Sequence, residues 1–375
     1  MKKYLSGAAL LTLLSAQTVL AADNVVLITI DGVRWQEAFS GISAELATHD
    51  EYTDVAEQLM AEFWHNDPAL RAQKLMPFLH NTVMQQGTVV GDHSKGSCAV
   101  LTNDWNFSYP GYNEILSGVI NDDINSNASV PNPEKTMLEL LGANPAFSGR
   151  MAAFASWNVF PAIYNVERSG IPVNIGLSDQ PANEFEEMLN TLHADVSPHW
   201  PTVRHDAFTH HYALSWLKRT ESRVVHIAYG EPDDFAHEGD YDEYVVATRR
   251  VDGFIEDVWN TLQSLEYYKD NTAIFITVDH GRGEQPLESW LHHASKRAVE
   301  NYMSGLAADY PQGIIGSENI WMAAMGPGVP VNGLVQTDSC LGANQIAATL
   351  LQWMGEDYTQ YNPAMGKPMT EFLPR

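Results

Sequence analysis

Short apolar runs rich in β-branched residues alternate with longer amphipathic segments along most of the chain. A strand buried on both faces of a sheet needs no polar side, so unbroken apolar runs predict strands. These runs are VVLITID (25–31), MAAFASW (151–157), RVVHIAY (223–229), TAIFITVD (272–279) and IWMAAMGPG (320–328). Helices are predicted over 70–86, 110–117, 205–219, 241–266 and 341–354. The alternation predicts an α/β fold with a mostly parallel central sheet and helices on both faces.

Two stretches depart from this alternation. Residues 121–200 are rich in Asn, Pro and Ser and contain a single strand-like run, while 285–315 form a polar, helix-like insert before the last strand. We expect both stretches to be cap or lid segments over a site.

The first 21 residues, MKKYLSGAALLTLLSAQTVLA, place two lysines before an apolar stretch and small residues at its end. This layout predicts a cleaved secretory signal. Its apolar part is shorter than the roughly 20 residues that a membrane-spanning helix needs. We therefore expect an exported, most simply periplasmic, protein without a membrane anchor, whose single catalytic domain covers 22–375.

Acidic residues dominate the charge of the chain. The formal charge is −26, and loss of Lys2 and Lys3 with the signal would leave 19 − 47 = −28. Such a surface repels a nucleic acid backbone, which argues against a partner of that class. Cys98 and Cys340 form either one disulfide or two free thiols, and two cysteines are too few for a cysteine-based zinc module.

Acidic and histidine residues follow the predicted strands. Asp31 ends the first run, EPDDFAH (231–237) follows RVVHIAY, and Asp279 and His280 end TAIFITVD. His292 and His293 come shortly afterwards. Because ligands of open α/β sheets gather at the carboxyl ends of the strands, we expect these side chains to converge.

Asp233 and His237 are four residues apart, which places them on one face of a helical turn. A solvated helix start would explain the carboxylates but not the histidine. Several carboxylates and histidines at neighbouring strand ends would leave a large buried charge without cations. Mixed Asp and His ligands favour two divalent ions, most simply zinc.

A pair of metal ions suits displacement at phosphorus, which also requires a nucleophile. The stretch WNFSYPGYNEILSG (105–118) offers Ser108 directly before a predicted helix, where backbone N–H groups stabilise anions. An ordinary helix-capping serine is the alternative interpretation.

The order of these motifs resembles the alkaline phosphatase superfamily, and within it the type I phosphodiesterase/nucleotide pyrophosphatase branch. The matching stretches are Asp31–Gly32, SYPGYNEILSG, EPDDFAHEGD, VDHG and a later histidine, and they span 25–328. The nucleophile is Ser108 where that branch usually has Thr, and the later histidine is followed by Ala instead of Gly. The resemblance implies a three-layer α/β sandwich with cap insertions.

The resemblance also implies a role for each residue. Asp233, His237 and His293 would bind one zinc, with His292 as the alternative to His293. Asp31, Asp279, His280 and Ser108 would bind the second. Asn127, or else Asn125, would bind a phosphoryl oxygen. Glu231 and Asp234 are not expected as ligands, and Asp234 is expected to be solvated.

The resemblance therefore predicts an exported two-zinc phosphoric ester hydrolase that acts through a phosphoserine on a small phosphate ester or nucleotide. A phosphodiester is the expected substrate, because no basic residue lies within YPGYNEILSGVINDDINSN (109–127). A phosphomonoesterase is the alternative. A sulfatase lacks support, since SYPGY has no Arg in a C/S-x-P-x-R setting, and an inactive metal-binding scaffold would have lost a ligand or the nucleophile.

Overall fold

A computed structural model describes residues 22–374. The predicted signal segment, 1–21, lies outside the described residues. The strands are β1 (Asn24–Ile30), β2 (Gly87–Val90), β3 (Ala99–Val100), β4 (Met151–Ala155), β5 (Val173–Asn174), β6 (Val224–Tyr229), β7 (Thr272–Val278), β8 (Asn319–Ile320), β9 (Met322–Met325), β10 (Gly333–Leu334) and β11 (Leu341–Gly342).

Most helices surround the sheet and are short. They are α1 (Trp35–Ser40), α2 (Ala44–Ala47), α3 (Ala56–Phe63), α4 (Pro68–Leu75), α5 (Met84–Gln86), α6 (Ser108–Ser117), α7 (Met137–Gly142), α8 (Phe160–Ile163), α9 (Val166–Ser169), α10 (Glu184–Asp195), α11 (Asp206–Arg219), α12 (Glu231–Glu238), α13 (Tyr241–Ser264), α14 (Lys296–Glu300), α15 (Ile346–Trp353) and α16 (Tyr358–Tyr361). A π-helix covers Leu79–Val83, and 3₁₀ turns cover His93–Lys95, Leu287–Leu291, Ser304–Leu306, Ala343–Gln345 and Thr370–Phe372.

The main sheet has eight strands in the order β10-β2-β9-β7-β1-β6-β4-β5. Its five strands from β7 to β5 are parallel, and β9 runs antiparallel to both of its neighbours. Every residue of β1, β6 and β7 is buried, so both faces of the sheet are covered. The predicted α/β class with a mostly parallel sheet is confirmed.

Each apolar run that predicted a strand contributes to the main sheet, although the last run supplies the antiparallel β9. The single helix predicted over 70–86 is instead divided into α4, a π-helix and α5. Proline 77 explains the break, because a proline lacks the N–H that would continue the helix.

The two predicted cap segments are partly integrated with the core. Residues 121–200 supply β4 and β5 at one end of the main sheet. Residues 285–315 pack through Ala294, Ala298, Val299 and Ile314 into a smaller apolar cluster with Trp105 and Phe107. Within residues 22–374, no helix combines the length and apolarity that crossing a bilayer requires.

Cys98 and Cys340 form a disulfide across a separation of 242 residues. It lies beside the three-stranded sheet in which β11 pairs with β3. The two cysteines therefore form one disulfide in the structure and are not free thiols. A crosslink that closes so long a loop restricts the unfolded chain strongly.

Replacing both cysteines with alanine should lower the free energy of unfolding by about 2–5 kcal/mol, because the unfolded chain regains its freedom. Urea unfolding of the oxidised proteins would measure the change. A reductant should destabilise the wild type in the same way and leave the double variant unaffected. An unchanged midpoint in the double variant would contradict the stabilising role.

Candidate metal centre

The register of the three central strands brings the predicted ligands together. Ile30 of β1 pairs with Tyr229 of β6 on one side and with Val278 of β7 on the other. The next residues are Asp31, Gly230 and Asp279, so β1 and β7 each end in a carboxylate beside the start of α12. Parallel strands thereby deliver side chains distant in sequence to one sheet edge.

A first group of side chains surrounds the His280 ring. Its Nε2 atom lies 3.2 Å from Asp31 Oδ1, 3.5 Å from Asp279 Oδ2 and 3.3 Å from Ser108 Oγ. The Nδ1 atom lies 2.9 Å from the Gly281 carbonyl oxygen, to which it donates a hydrogen bond. In the neutral ring this leaves a lone pair on Nε2, directed at the carboxylates, as a metal ligand requires.

A second group adjoins the first. His237 Nε2 lies 3.0 Å from His293 Nε2 and 3.2 Å from Asp233 Oδ2. His293 Nδ1 donates to the Asn106 carbonyl oxygen at 3.1 Å, which leaves its Nε2 free as a ligand. The rings of His280 and His293 stack with centroids 3.6 Å apart, so the two groups share a boundary.

The ligand atoms fit divalent ions. Ligands around a tetrahedral zinc lie about 3.3 Å from one another, close to the separations within both groups. Asp31 Oδ1 and Asp279 Oδ2 are buried and have no hydrogen-bond partner among the described residues. Burial, followed by repulsion from Asp31, raises the pKa of Asp279 well above its usual value. A cation between these carboxylates would interact with their unpaired oxygens and would lower the raised pKa of Asp279.

Of the two candidate histidines, the structure brings His293 to the site. The His292 ring lies 5.8 Å from that of Tyr310, and neither cluster of potential metal ligands among the described residues includes it. Burial, with a smaller contribution from His237, lowers the pKa of His292 to about 4. Its ordinary role is that of a packed, neutral side chain.

Ser108 is the first residue of α6 and is buried beside the first group. The helix can approach so closely because Gly111 faces the backbone of Asp279, where a Cβ atom would overlap the carbonyl oxygen. Asn127 accepts a hydrogen bond from the Tyr109 backbone N–H at 3.0 Å and lines the same cavity as Ser108. Asn125 instead lines a separate cavity with Tyr109.

Two further side chains, Asp206 and Arg282, support the candidate ligands and belong to no motif that the sequence revealed. Asp206 accepts hydrogen bonds from the backbone N–H groups of Gly230 (2.8 Å) and Glu231 (3.1 Å), which fixes the start of α12. The buried Arg282 guanidinium contacts the Asp233 carboxylate, and its Nε donates to the Trp290 carbonyl oxygen at 2.7 Å. It thus connects Asp233 to the loop that carries His293.

The other acids of α12 have different surroundings. Glu231 is buried and pairs with His205 Nδ1 at 2.8 Å and Arg250 NH1 at 3.0 Å. The expectation that Asp234 is solvated is wrong, since it is half-buried on the cavity wall. Burial, followed by repulsion from Asp233 and Asp31, raises the pKa of Asp234 to about 9. A cation facing Asp234 would therefore be needed to keep it ionised at neutral pH.

A cavity of about 170 Å³ opens at these groups. None of the described residues lining it is Lys or Arg. They are Asp31, Ser108, Asn127, Trp157, Thr202, Val203, Gly230, Asp233, Asp234, His237, His293 and Met303.

Comparison with known proteins finds a matching family model and similar curated proteins. The model of the Metalloenzyme superfamily matches residues 201–295, which contain α12, Asp279, His280 and His293. A probable 2,3-bisphosphoglycerate-independent phosphoglycerate mutase of Leptospira interrogans (serovar Lai) is 22% identical over 278 residues. That alignment covers 67% of this chain and 47% of the mutase, so the chain spans about half the length of the curated relatives it matches.

Two solved structures share the fold. The alkaline phosphatase PafA has a TM-score of 0.59 and 10% identity, with 95% of this chain and 100% of PafA covered. Phosphonate monoester hydrolase SpPMH from Silicibacter pomeroyi has a TM-score of 0.56 and 14% identity, with 94% and 76% covered. The resemblance to the alkaline phosphatase superfamily is therefore confirmed at the level of the superfamily and its fold. The branch remains a prediction.

Adding zinc to the metal-free protein should raise its thermal midpoint by at least about 4 °C at a hundredfold excess over Kd, because binding relieves the buried carboxylates. Asp279→Asn should lose most of this increase, whereas Asp54→Asn, at an exposed acid, should retain it. Scanning calorimetry with and without zinc measures both. A full increase in Asp279→Asn would remove this carboxylate from the ligand set.

Proposed function

We propose that the chain is an exported, two-zinc phosphoric ester hydrolase that acts through Ser108 and prefers phosphodiesters. The main support is the pair of adjoining ligand groups, with Ser108 Oγ 3.3 Å from His280 Nε2. Asp31, Asp279, His280 and Ser108 would hold one ion. Asp233, His237 and His293 would hold the other. Export is inferred from the segment 1–21.

In the proposed reaction, bound ions would favour ionisation of the serine hydroxyl and stabilise negative charge on the phosphoryl oxygens. Ser108 Oγ forms a bond to phosphorus while the bond to the leaving alcohol oxygen breaks, and that oxygen takes up a proton. Water then attacks phosphorus, the Oγ–P bond breaks and the serine regains its proton. The helix begins at Ser108, so its positive dipole end favours the transferred anion, and Asn127 Nδ2 can donate to a phosphoryl oxygen.

The charge of the cavity favours a phosphodiester. Enzymes that act on the more highly charged monoesters usually add a positive group beside the metal pair. Apart from the two ligand groups, Asp234 is the one ionisable side chain among the described residues that line this cavity, and it is an acid. SpPMH, whose name states a phosphonate monoester substrate, acts on a phosphorus centre that likewise bears a single negative charge. Phosphomonoester hydrolysis is the second candidate, because PafA is an alkaline phosphatase.

A sulfatase reaction has less support. Tyr112 occupies the position that is Arg in the C/S-x-P-x-R motif. Its hydroxyl donates a hydrogen bond to Asp31 Oδ2 at 3.0 Å. The tyrosine thus orients a carboxylate of the first ligand group.

Ser108→Ala should reduce kcat/KM for an aryl phosphate ester by at least about a thousandfold, because the covalent step is lost. Ser117→Ala, at the opposite end of α6, is the matched control and should retain activity. Removal of metal by a chelator should abolish turnover and added zinc should restore it. Full activity in Ser108→Ala, or after verified metal removal, would contradict the mechanism.

Diester preference is measured by comparing p-nitrophenyl phosphate with p-nitrophenyl methyl phosphate. We expect the diester to have the higher kcat/KM, since the cavity offers a monoester no additional positive side chain. A monoester advantage of more than about tenfold, or about 1.4 kcal/mol in transition-state binding, would establish the second candidate instead.

A further inference from the structure

A short turn, residues 103–106, connects the helix that begins at Ser108 to the segment that carries His293. We call these four residues the bridging turn. Asn103 and Asn106, at its two ends, are buried although they are polar. Neither belongs to a cluster of potential metal ligands among the described residues, so their burial needs another explanation.

One side of the bridging turn is fixed to α6. Glu114 of α6 is fully buried, and its carboxylate accepts hydrogen bonds from the Asn103 backbone N–H at 2.9 Å and from Asn103 Nδ2 at 2.7 Å. It also accepts from the backbone N–H groups of Thr102 and Asn344, both at 2.9 Å. Hydrogen bonds to a carboxylate are stronger than those between neutral groups. The turn is therefore held firmly against the helix that carries the nucleophile.

The carbonyl oxygens of the bridging turn face the segment around His293. The Asp104 oxygen accepts a hydrogen bond from Ser295 Oγ at 2.7 Å, and the Trp105 oxygen accepts one from the Ser295 backbone N–H at 3.1 Å. The Asn106 oxygen accepts the bond from His293 Nδ1 at 3.1 Å. That bond fixes the ring orientation and leaves Nε2 free for a metal. The same four residues thus contact both α6 and a candidate ligand.

Two features determine the shape of the bridging turn. Asn103 Oδ1 accepts hydrogen bonds from the backbone N–H groups of Trp105 at 3.0 Å and Asn106 at 3.1 Å. Asn106 has a φ of 54°, in the left-handed region, which asparagine tolerates and a β-branched residue does not. Its Nδ2 donates to Ser317 Oγ at 3.2 Å. The direction of the Asn106 carbonyl, and with it the bond to His293, depends on this backbone conformation.

We propose that Asn103 and Asn106 are positioning residues, which keep the nucleophile Ser108 and the ligand His293 in one fixed relative position. The inference rests on the proposed function, because an in-line displacement needs the attacking and leaving oxygens on opposite sides of phosphorus. Ser108 lies beside the first ligand group, and His293 belongs to the second. A misplacement of about 1 Å can slow an enzymatic reaction about a hundredfold. A turn that is bonded to both groups limits such misplacement.

The test compares two substitutions at Asn106. Asn106→Gly and Asn106→Val both remove the bond to Ser317, but only glycine adopts a positive φ without strain. Asn106→Val should weaken zinc binding at the site that contains His293 by about 10–100-fold. At saturating zinc it should lower kcat at least about tenfold and change KM by less than about threefold, for whichever of p-nitrophenyl phosphate and p-nitrophenyl methyl phosphate the wild type hydrolyses faster.

Asn106→Gly should remain within about threefold of the wild type in zinc affinity, kcat and KM, because the left-handed backbone is retained. Visible absorption of cobalt(II), bound in place of zinc, provides a readout that does not depend on turnover. The spectrum should change in Asn106→Val and not in Asn106→Gly, since it reports the ligand set and its geometry.

Two further variants separate positioning from general destabilisation. Asp270 also has a positive φ, 57°, but it is exposed and lies before β7, at the opposite end of that strand from Asp279. Asp270→Val should therefore lower the thermal midpoint and leave zinc affinity and kcat unchanged. Asn103→Ala removes the acceptor of two N–H groups in the turn and should reduce zinc affinity and kcat, which preserves the test if Asn106→Val does not fold.

The outcomes distinguish this inference from the proposed function. Wild-type zinc affinity and kcat in Asn106→Val, equal losses in Asn106→Gly and Asn106→Val, or the same losses in Asp270→Val would overturn the inference. A zinc-loaded wild type that hydrolyses neither p-nitrophenyl ester would overturn the proposed function. The zinc affinities and cobalt spectra of the two Asn106 variants would still decide whether the bridging turn positions His293.

Discussion

The arrangement of the site depends on two carboxylates that end adjacent strands inside the protein. Asp31 and Asp279 are buried side by side, and each has one oxygen without a hydrogen-bond partner among the described residues. Two like charges in such surroundings are costly unless a cation lies between them. Three contacts arrange potential metal ligands around that position. Gly111 lets α6 approach closely, a neutral His280 that donates from Nδ1 has its Nε2 free for a metal, and the Tyr112 hydroxyl donates a hydrogen bond to Asp31. The sheet provides the rigidity that keeps the carboxylates together.

The second ligand group obtains its geometry from supporting charges instead of from a strand. Asp233 and His237 belong to α12, whose first N–H groups are held by Asp206 from the start of another helix. Arg282 connects Asp233 to the backbone of residues 290–291, which is separated from His293 by one residue. Such partners orient the ligands of a metal site and contribute to its affinity. The two groups therefore reach comparable spacing by different structural means.

The sequence predicts those features of the site whose evidence lies within one short stretch of the chain. The central strands and the side chains at their ends could be predicted because an apolar run and the following acid are adjacent in sequence. Asp206 and Arg282 could not, because their partners become apparent only after α11, α12 and the 290–291 loop are packed. β2, β5 and β10 have at most four residues and no distinctive pattern. The environment of Asp234 was predicted wrongly, since a polar residue after Asp233 gives no indication of the cavity it faces.

The two ligand groups also differ in their access to solvent, which bears on the direction of the proposed reaction. The side chains of Asp279 and His280 are fully buried, whereas that of His237 is 41% exposed. Ser108 lies beside the buried group, so an in-line displacement places the leaving oxygen on the opposite side of phosphorus. In the proposed reaction that side would be the second group, whose Asp233, His237 and His293 also line the cavity. In the proposed reaction the nucleophile would therefore lie beside the buried group, and the alcohol would leave towards the more exposed one.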